Sequence, residues 1–199
     1  MERLILARHG ESEYSLRGRL NGDPAAGVAL TERGVEEARR LAAELAAAPL
    51  DLALHTGFPR TRASLELVLA GRDDVPVLVE PRLADPRAGD FEGLTLDEYR
   101  AWAWNAGSRV DAPGGGESRL GVVTRYAAAY RALLARSERT ILAVVHALPV
   151  AYLLLALQGE PPRPRIDLHV EYARPYPFAR DELERALALL EQWCGSPTW

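Results

Sequence analysis

Two short apolar runs constrain this chain more than any other feature. Leu4-Ile5-Leu6-Ala7 stops abruptly at Arg8-His9-Gly10-Glu11-Ser12, and far down the chain Ile141-Leu142-Ala143-Val144-Val145 runs straight into His146. A brief apolar run bounded by a turn signal reads as a buried strand. Ligands of open α/β sheets collect where such strands end. Each run therefore delivers an imidazole to a strand mouth, the first with a guanidinium beside it and a glycine after it. A lone imidazole there is more often structural, but two of them with an arginine form an arrangement suited to phosphate.

Between the two runs the pattern alternates. Thr31-Glu32-Arg33-Gly34 leads into a helix with Val35, Ala38, Leu41, Ala42 and Leu45 at helical spacing, and Leu52-Ala53-Leu54 reads as a strand. Thr61 to Ala70 follows as a helix, and Val77-Leu78-Val79 as a strand after Pro76. Such alternation predicts an α/β domain with a largely parallel sheet. Thr95 and Glu98 have capping-box spacing, which starts a helix carrying Tyr99, Trp102 and Trp104, either a lid over substrate or a cover for the domain edge. Pro113-Gly114-Gly115-Gly116 reads as a loop before a helix at about 119 to 136 with Val123, Tyr126, Ala127, Tyr130 and Leu134 on one face. Leu148 to Leu157 reads as a buried helix. A Pro- and Arg-punctuated excursion from Glu160 then precedes a last amphipathic helix, with Asp181 as N-cap, Glu184 three residues on, and Leu183, Leu187 and Leu190 inward.

Composition removes several classes of function. All 24 basic residues are arginine, which excludes the Gly-Lys pair of a P-loop and any lysine Schiff base. Phosphate must be held here by arginine forks, imidazoles and backbone N–H groups. A formal charge of −4 gives no electrostatic case for nucleic acid. Cys194 is the only cysteine, so no disulfide framework or cysteine-rich metal site is expected. Arg8 and His9 interrupt the N-terminal apolar run before it could act as a signal peptide, and no later run is long enough for a bilayer. The expectation is a cytoplasmic protein of one domain with a small phosphorylated substrate, no nucleic-acid or membrane partner, no cofactor and no metal. A homodimer is left open.

Taken in order, Arg8-His9-Gly10-Glu11-Ser12, Pro59-Arg60-Thr61-Arg62, Gly89-Asp90-Phe91-Glu92-Gly93, Gly115-Gly116-Glu117-Ser118 and Val144-Val145-His146 resemble the blocks of the histidine phosphatase superfamily, which includes cofactor-dependent phosphoglycerate mutases. The Arg-His-Gly block is the most specific. The resemblance implies a three-layer α/β/α sandwich with a largely parallel central sheet and helical excursions over the active site. It implies one domain over 1–199, with 160–199 as a C-terminal extension packed on it. It further implies that His9 is the nucleophile that becomes phosphorylated, that Arg8 and Arg60 grip the phosphoryl oxygens, and that His146 donates across the phosphate. Arg60 rather than Arg62 follows from the alignment of the block alone. Ser15, Asn21, Gly22 and Ala147 are implied as substrate-binding.

Three departures from the family pattern bear on function. Asp85, bracketed by Leu83 and Gly89, stands where the family has the glutamate that protonates the leaving group. Ser15 replaces a common asparagine, with Asn21 or Ser12 placed to compensate. His55-Thr56-Gly57 replaces two serines and a proline, leaving His55 as an extra imidazole or simply a polar residue closing a strand. Glu92 and the Glu117-Ser118 pair are expected to tie backbone and shape the pocket. The favoured reading is a phosphatase acting on a small phosphomonoester through a phosphohistidine. The alternatives are mutase-type phosphoryl transfer and a noncatalytic phospho-ligand binder. Against a mutase stand the shortness of the chain, the lack of a central arginine pair for a second anionic group, and Pro86 in place of the arginine that follows the acid. Of the last forty residues, His169, Tyr172 and Tyr176 are those that could reach the site, but the stretch is expected to supply no catalytic group.

Overall fold

The first apolar run forms the six-residue strand β1 (Arg3–Arg8) in a computed structural model that describes residues 1–199. Its side chains alternate between two cores: Leu4 and Leu6 face one, Ile5 and Ala7 the other. Four more strands complete the sheet: β2 (Leu52–His55), β3 (Val77–Val79), β4 (Thr140–Val145) and β5 (Pro175–Ala179). Their order is β3-β2-β4-β1-β5, with β5 alone antiparallel.

Seven helices accompany the strands. They are α1 (Glu13–Leu16), α2 (Glu32–Glu44), α3 (Pro59–Val68), α4 (Leu96–Ala103), α5 (Arg119–Leu134), α6 (Ala147–Leu157) and α7 (Arg180–Gly195). α2 and α3 cover one face of the sheet through Leu41, Leu45, Leu65 and Val68. α5, α6 and α7 cover the other, where Tyr126, Tyr130, Leu153 and Leu187 meet Leu4, Leu6 and Ile141. Helices on both faces of a mostly parallel sheet make the three-layer α/β/α architecture.

The helix starts follow from side chains that accept otherwise unpaired N–H groups. Thr31 accepts from Gly34, Ser118 accepts from Gly121, and Thr95 and Glu98 make the reciprocal pair expected of them. α3 starts at Pro59, two residues before its expected start, because proline is pre-set for the first helical position. The N-cap of α7 is Ala179, not Asp181. Strand β5 runs directly into this helix, Glu182 accepts from Ala179 N at 2.8 Å, and Asp181 pairs with Arg185 at 2.7 Å.

β5 itself was not expected. Pro175 and Pro177 argue against a strand, since proline has no N–H for a ladder, but an edge position tolerates it. Here the two prolines stand opposite Ala7 and Ile5 on the outer side of β1. The stretch after residue 160 thus contributes a strand to the central sheet. No helix is long and apolar enough to cross a membrane.

Candidate active site

The site follows from the parallel pairing of β1 with β4. Arg8 stands opposite Val145, and His9 N donates to Val145 O at 3.0 Å, so the pairing continues one step past the strand. The two strands therefore release His9 and His146 side by side, with ring centroids 5.3 Å apart and edge to face. β2, on the other flank of β4, leads into α3, whose first turn brings Arg60 to both rings. Gly10 lets the loop turn under α2, because a Cβ there would lie 2.2 Å from the Gly34 carbonyl oxygen.

His9 is almost wholly buried, and its Nδ1 lies 2.7 Å from Gly10 O. A carbonyl only accepts, so Nδ1 carries the hydrogen and Nε2 keeps its lone pair. Burial, then the charges of Arg60, His146 and Arg8, hold its pKa well below the ordinary imidazole value. At neutral pH the ring is uncharged, and its unprotonated Nε2 accepts from Arg60 Nε at 3.1 Å.

Arg60, also buried, organises the floor of the site. Its Nη1 donates to Asn21 Oδ1, and its Nη2 donates to Asn21 O at 3.1 Å and to Asp85 Oδ2 at 2.8 Å. His146 Nδ1 lies 3.0 Å from the same Asp85 oxygen and 3.1 Å from Arg60 Nη2; with the carboxylate the nearer and able only to accept, the hydrogen is assigned to Nδ1. His146 Nε2 in turn accepts from the Thr56 hydroxyl at 2.8 Å. Burial brings the His146 pKa down to about 4, with Asp85 opposing and Arg60 assisting. For Asp85, burial works upwards, yet the charge and hydrogen bond of His146 and the charge of Arg60 outweigh it, so the carboxyl stays ionised far below its usual range.

Arg8 completes the floor. Nη1 donates to Val170 O at 2.8 Å, the guanidinium lies 3.6 Å from the centroid of the Tyr172 ring, and Nε is buried without a protein partner. Buried donors are normally satisfied, which makes this one an exception within the site.

These groups open onto a cleft of about 320 Å³. Arg8, His9, Arg60, Asp85, Ser15, Asn21 and Ala147 line it, with His146 packed behind them. Gly22 is a correction to the expected set. It does not line the cleft, its N–H is donated to both oxygens of Glu92 at 3.1 and 2.8 Å, and a Cβ there would meet Pro86 O at 2.0 Å. Close backbone approach explains this glycine. Asn21 braces Arg60, and Ser15 bonds the Ser12 hydroxyl at 2.9 Å. Arg62 points away, exposed and paired with Glu66 at 2.8 Å. His55 closes β2, its Nδ1 accepting from Gly57 N at 3.1 Å. Glu92 also accepts from Ala88 N, and Glu117 accepts from Arg87 N and from Arg125, so both acids tie loops.

Sequence reasoning missed three contributions. Thr56, behind His146, lies in a segment that departs from the family pattern. Pro164, Ile166 and Leu168 form a wall of the cleft beside Tyr172, which the sequence placed within reach of the site, although the excursion holding them carries no periodic signal. The third concerns cations: the sequence showed no central arginine pair for a second anionic group, yet Arg19, Arg100 and Arg119 all line the cleft. The placement of Arg119 just after the Gly-Glu-Ser loop was the available hint.

A neutral imidazole flanked by arginines, a second imidazole and a carboxylate at the carboxyl end of a parallel sheet is the site of a phosphoryl-handling α/β protein. The family model of the histidine phosphatase superfamily (branch 1) matches residues 4–191, and the chain belongs to this family. It is 35% identical over 176 residues to a 2,3-bisphosphoglycerate-dependent phosphoglycerate mutase of Methylobacterium radiotolerans, covering 80% of this chain and 81% of that one. It is 31% identical over 175 residues to a glucosyl-3-phosphoglycerate phosphatase of Mycolicibacterium vanbaalenii, covering 81% and 76%. Among solved structures, Bacillus stearothermophilus YhfR superposes with a TM-score of 0.75 at 28% identity, covering 88% of this chain and 89% of that one. The similar coverage of the mutase relative removes chain length as an argument against mutase activity.

Proposed function

We propose that this protein is a phosphatase that hydrolyses a small phosphomonoester through a phosphohistidine on His9. The observation that carries this reading is the tautomer of His9: Nδ1 is tied to Gly10 O, which leaves Nε2 with an unprotonated lone pair beside Arg60 Nε. His9 Nε2 attacks phosphorus, the P–N bond forms and the P–O bond to the leaving group breaks. Arg8, Arg60 and the Nδ1–H of His146 hold the phosphoryl oxygens, where charge develops. Substrate oxygens compete with Asp85 for Arg60 and His146. Released from those partners and set beside a dianion, the Asp85 carboxyl takes up a proton and gives it to the departing alkoxide. The resulting carboxylate then removes a proton from water, which attacks phosphorus, breaks the P–N bond and regenerates neutral His9.

Rapid quench with a ³²P-labelled ester tests this reading. Acid-labile, base-stable label is expected on the wild-type chain and none on His9→Ala; label retained by His9→Ala would remove the mechanism. His146→Ala should form the phosphoenzyme about 100- to 1,000-fold more slowly, as for loss of a transition-state donor.

Mutase-type transfer is the second reading, and the cations lining the cleft beyond its floor favour it. The same phosphoenzyme separates the two: a phosphatase loses its label to water at a rate independent of added phosphorylated acceptor, whereas a mutase returns it to the acceptor. A noncatalytic binder would show no turnover of any ester and no label.

A further inference from the structure

The cleft carries more cations than one phosphoryl group occupies. With Arg8 and Arg60 at the floor, Arg19, Arg100 and Arg119 line the remainder, and Asp85 is the sole carboxylate among the lining residues. Arg19 is exposed and donates to Gly93 O at 3.3 Å, while Arg100 faces Asp97 at 3.4 Å near the surface. Arg119 differs from both. It stands in the first turn of α5, half-buried, without an ion pair, and its guanidinium makes one hydrogen bond, from Nη1 to the Tyr152 hydroxyl at 3.1 Å. The neighbouring acid, Glu117, is committed elsewhere: it accepts from Arg125 Nε at 2.9 Å and from Arg87 N at 2.9 Å.

A guanidinium drawn partly out of water without a counter-charge bears a desolvation cost that an anionic ligand offsets. Its planar fork matches a carboxylate or phosphate through two parallel hydrogen bonds. Tyr152 holds the fork from behind, on buried α6, and fixes its direction. The wall shared with Arg119 is apolar and aromatic: Tyr99, Trp104, Leu148 and Ile166 line the same cleft. We propose that Arg119 recognises a second oxyanion of the substrate, which is a phosphomonoester whose leaving group presents an apolar face along this wall. This rests on the phosphatase reading above.

Three benzyl phosphates test it, with a carboxylate, a phosphonate or a neutral carboxamide in the para position. The wild-type chain should prefer an anionic ester over the carboxamide in kcat/KM on the order of 10- to 100-fold, as a charged hydrogen-bonded pair provides. The better of carboxylate and phosphonate identifies the oxyanion. Arg119→Met should bring that ratio close to one, and Arg119→Lys should restore part of it. Arg119→Gln, which keeps a donor towards Tyr152, replaces Arg119→Met should the latter not fold by circular dichroism. A wild-type ratio near one, or the same ratio in the variants, overturns the inference. If the wild-type chain turns over no ester, the phosphatase reading falls instead. The matching non-cleavable benzylphosphonates then decide by calorimetry: tighter binding of the anionic member that is lost in Arg119→Met supports the subsite, and equal affinities overturn it.

Discussion

Asp85 and His146 meet through one carboxylate oxygen, 3.0 Å from the imidazole Nδ1, and the same oxygen receives Arg60 Nη2 at 2.8 Å. The carboxylate thus lies between the two donors that the proposed chemistry assigns to phosphoryl oxygens. An internal anion on those donors keeps Arg60 directed and His146 in the Nδ1–H tautomer, the arrangement a dianion needs on arrival. The same pairing keeps Asp85 ionised, so its capacity to act as an acid depends on substrate displacing it.

The buried imidazoles predict loss of stability on mild acidification. His146 titrates at about 4 in the folded chain against an ordinary 6.5, so between those values the unfolded chain binds more protons. Stability then rises with pH across that window and falls as pH drops through it. His9, also lowered, adds the same sign, and Asp85 adds a further loss deeper in the acid range. Tm should fall steadily from pH 7 to pH 4, and less steeply in His146→Gln. A Tm flat across that range would show that the imidazoles are not held neutral.

Arg60→Lys should be severe although it keeps the charge. Five contacts from one planar group reach His9, Asn21 twice, Asp85 and His146, and a lysine ammonium cannot reproduce that fork. Turnover is expected to drop about 100- to 1,000-fold. Arg62→Lys, on the exposed side of the same helix, should stay within about twofold because its pair with Glu66 is solvated. Comparable losses in both would place the wrong arginine at the site.

What the sequence made legible was whatever local chemistry encodes. Apolar runs ending in histidine located β1 and β4, and Thr95 with Glu98 marked α4, because caps and strand ends are written within a few residues. Strand β5 was hidden by Pro175 and Pro177, whose cost depends on edge position, a property of the assembled sheet and not of the segment. The wall at Pro164 to Leu168 was equally hidden, since irregular backbone has no period and the same stretch meets Arg8 only through Val170, 162 positions away. Gly22 shows the reverse error. The resemblance marks the position as substrate-binding, whereas the structure sets it off the cleft lining and accounts for the glycine by the close approach of Pro86.

The last helix should be indispensable to the fold. Leu183, Leu187, Leu190 and Trp193 are buried in the larger core against α5 and α6, and β5 shields the edge of β1. Leu187→Ala should cost about 2–5 kcal/mol in urea unfolding. Ending the chain before β5 would strip both the core lining and the strand edge, and an insoluble or unfolded product is expected. A stable truncated chain with native Tm would show that the sheet does not depend on this segment.

The identity of the acid can be settled by leaving group. Asp85 lines the cleft beside Arg60, whereas both oxygens of Glu92 accept the Gly22 N–H and one also accepts from Ala88 N at 3.0 Å. If Asp85 protonates the leaving group, Asp85→Asn should lose about 100- to 10,000-fold on an alkyl phosphate, whose alkoxide needs a proton, and far less on an aryl phosphate, whose phenolate departs unaided. Release of the phosphoryl group to water should slow as well, because the same carboxylate then activates water. Glu92→Gln should instead lower stability by about 1–3 kcal/mol through its weakened backbone bonds, with equal effects on both esters. Equal losses on both esters in Asp85→Asn, with phosphoenzyme formation still limiting, would remove Asp85 from this role. The leaving-group-dependent defect appearing in Glu92→Gln would transfer the role to Glu92.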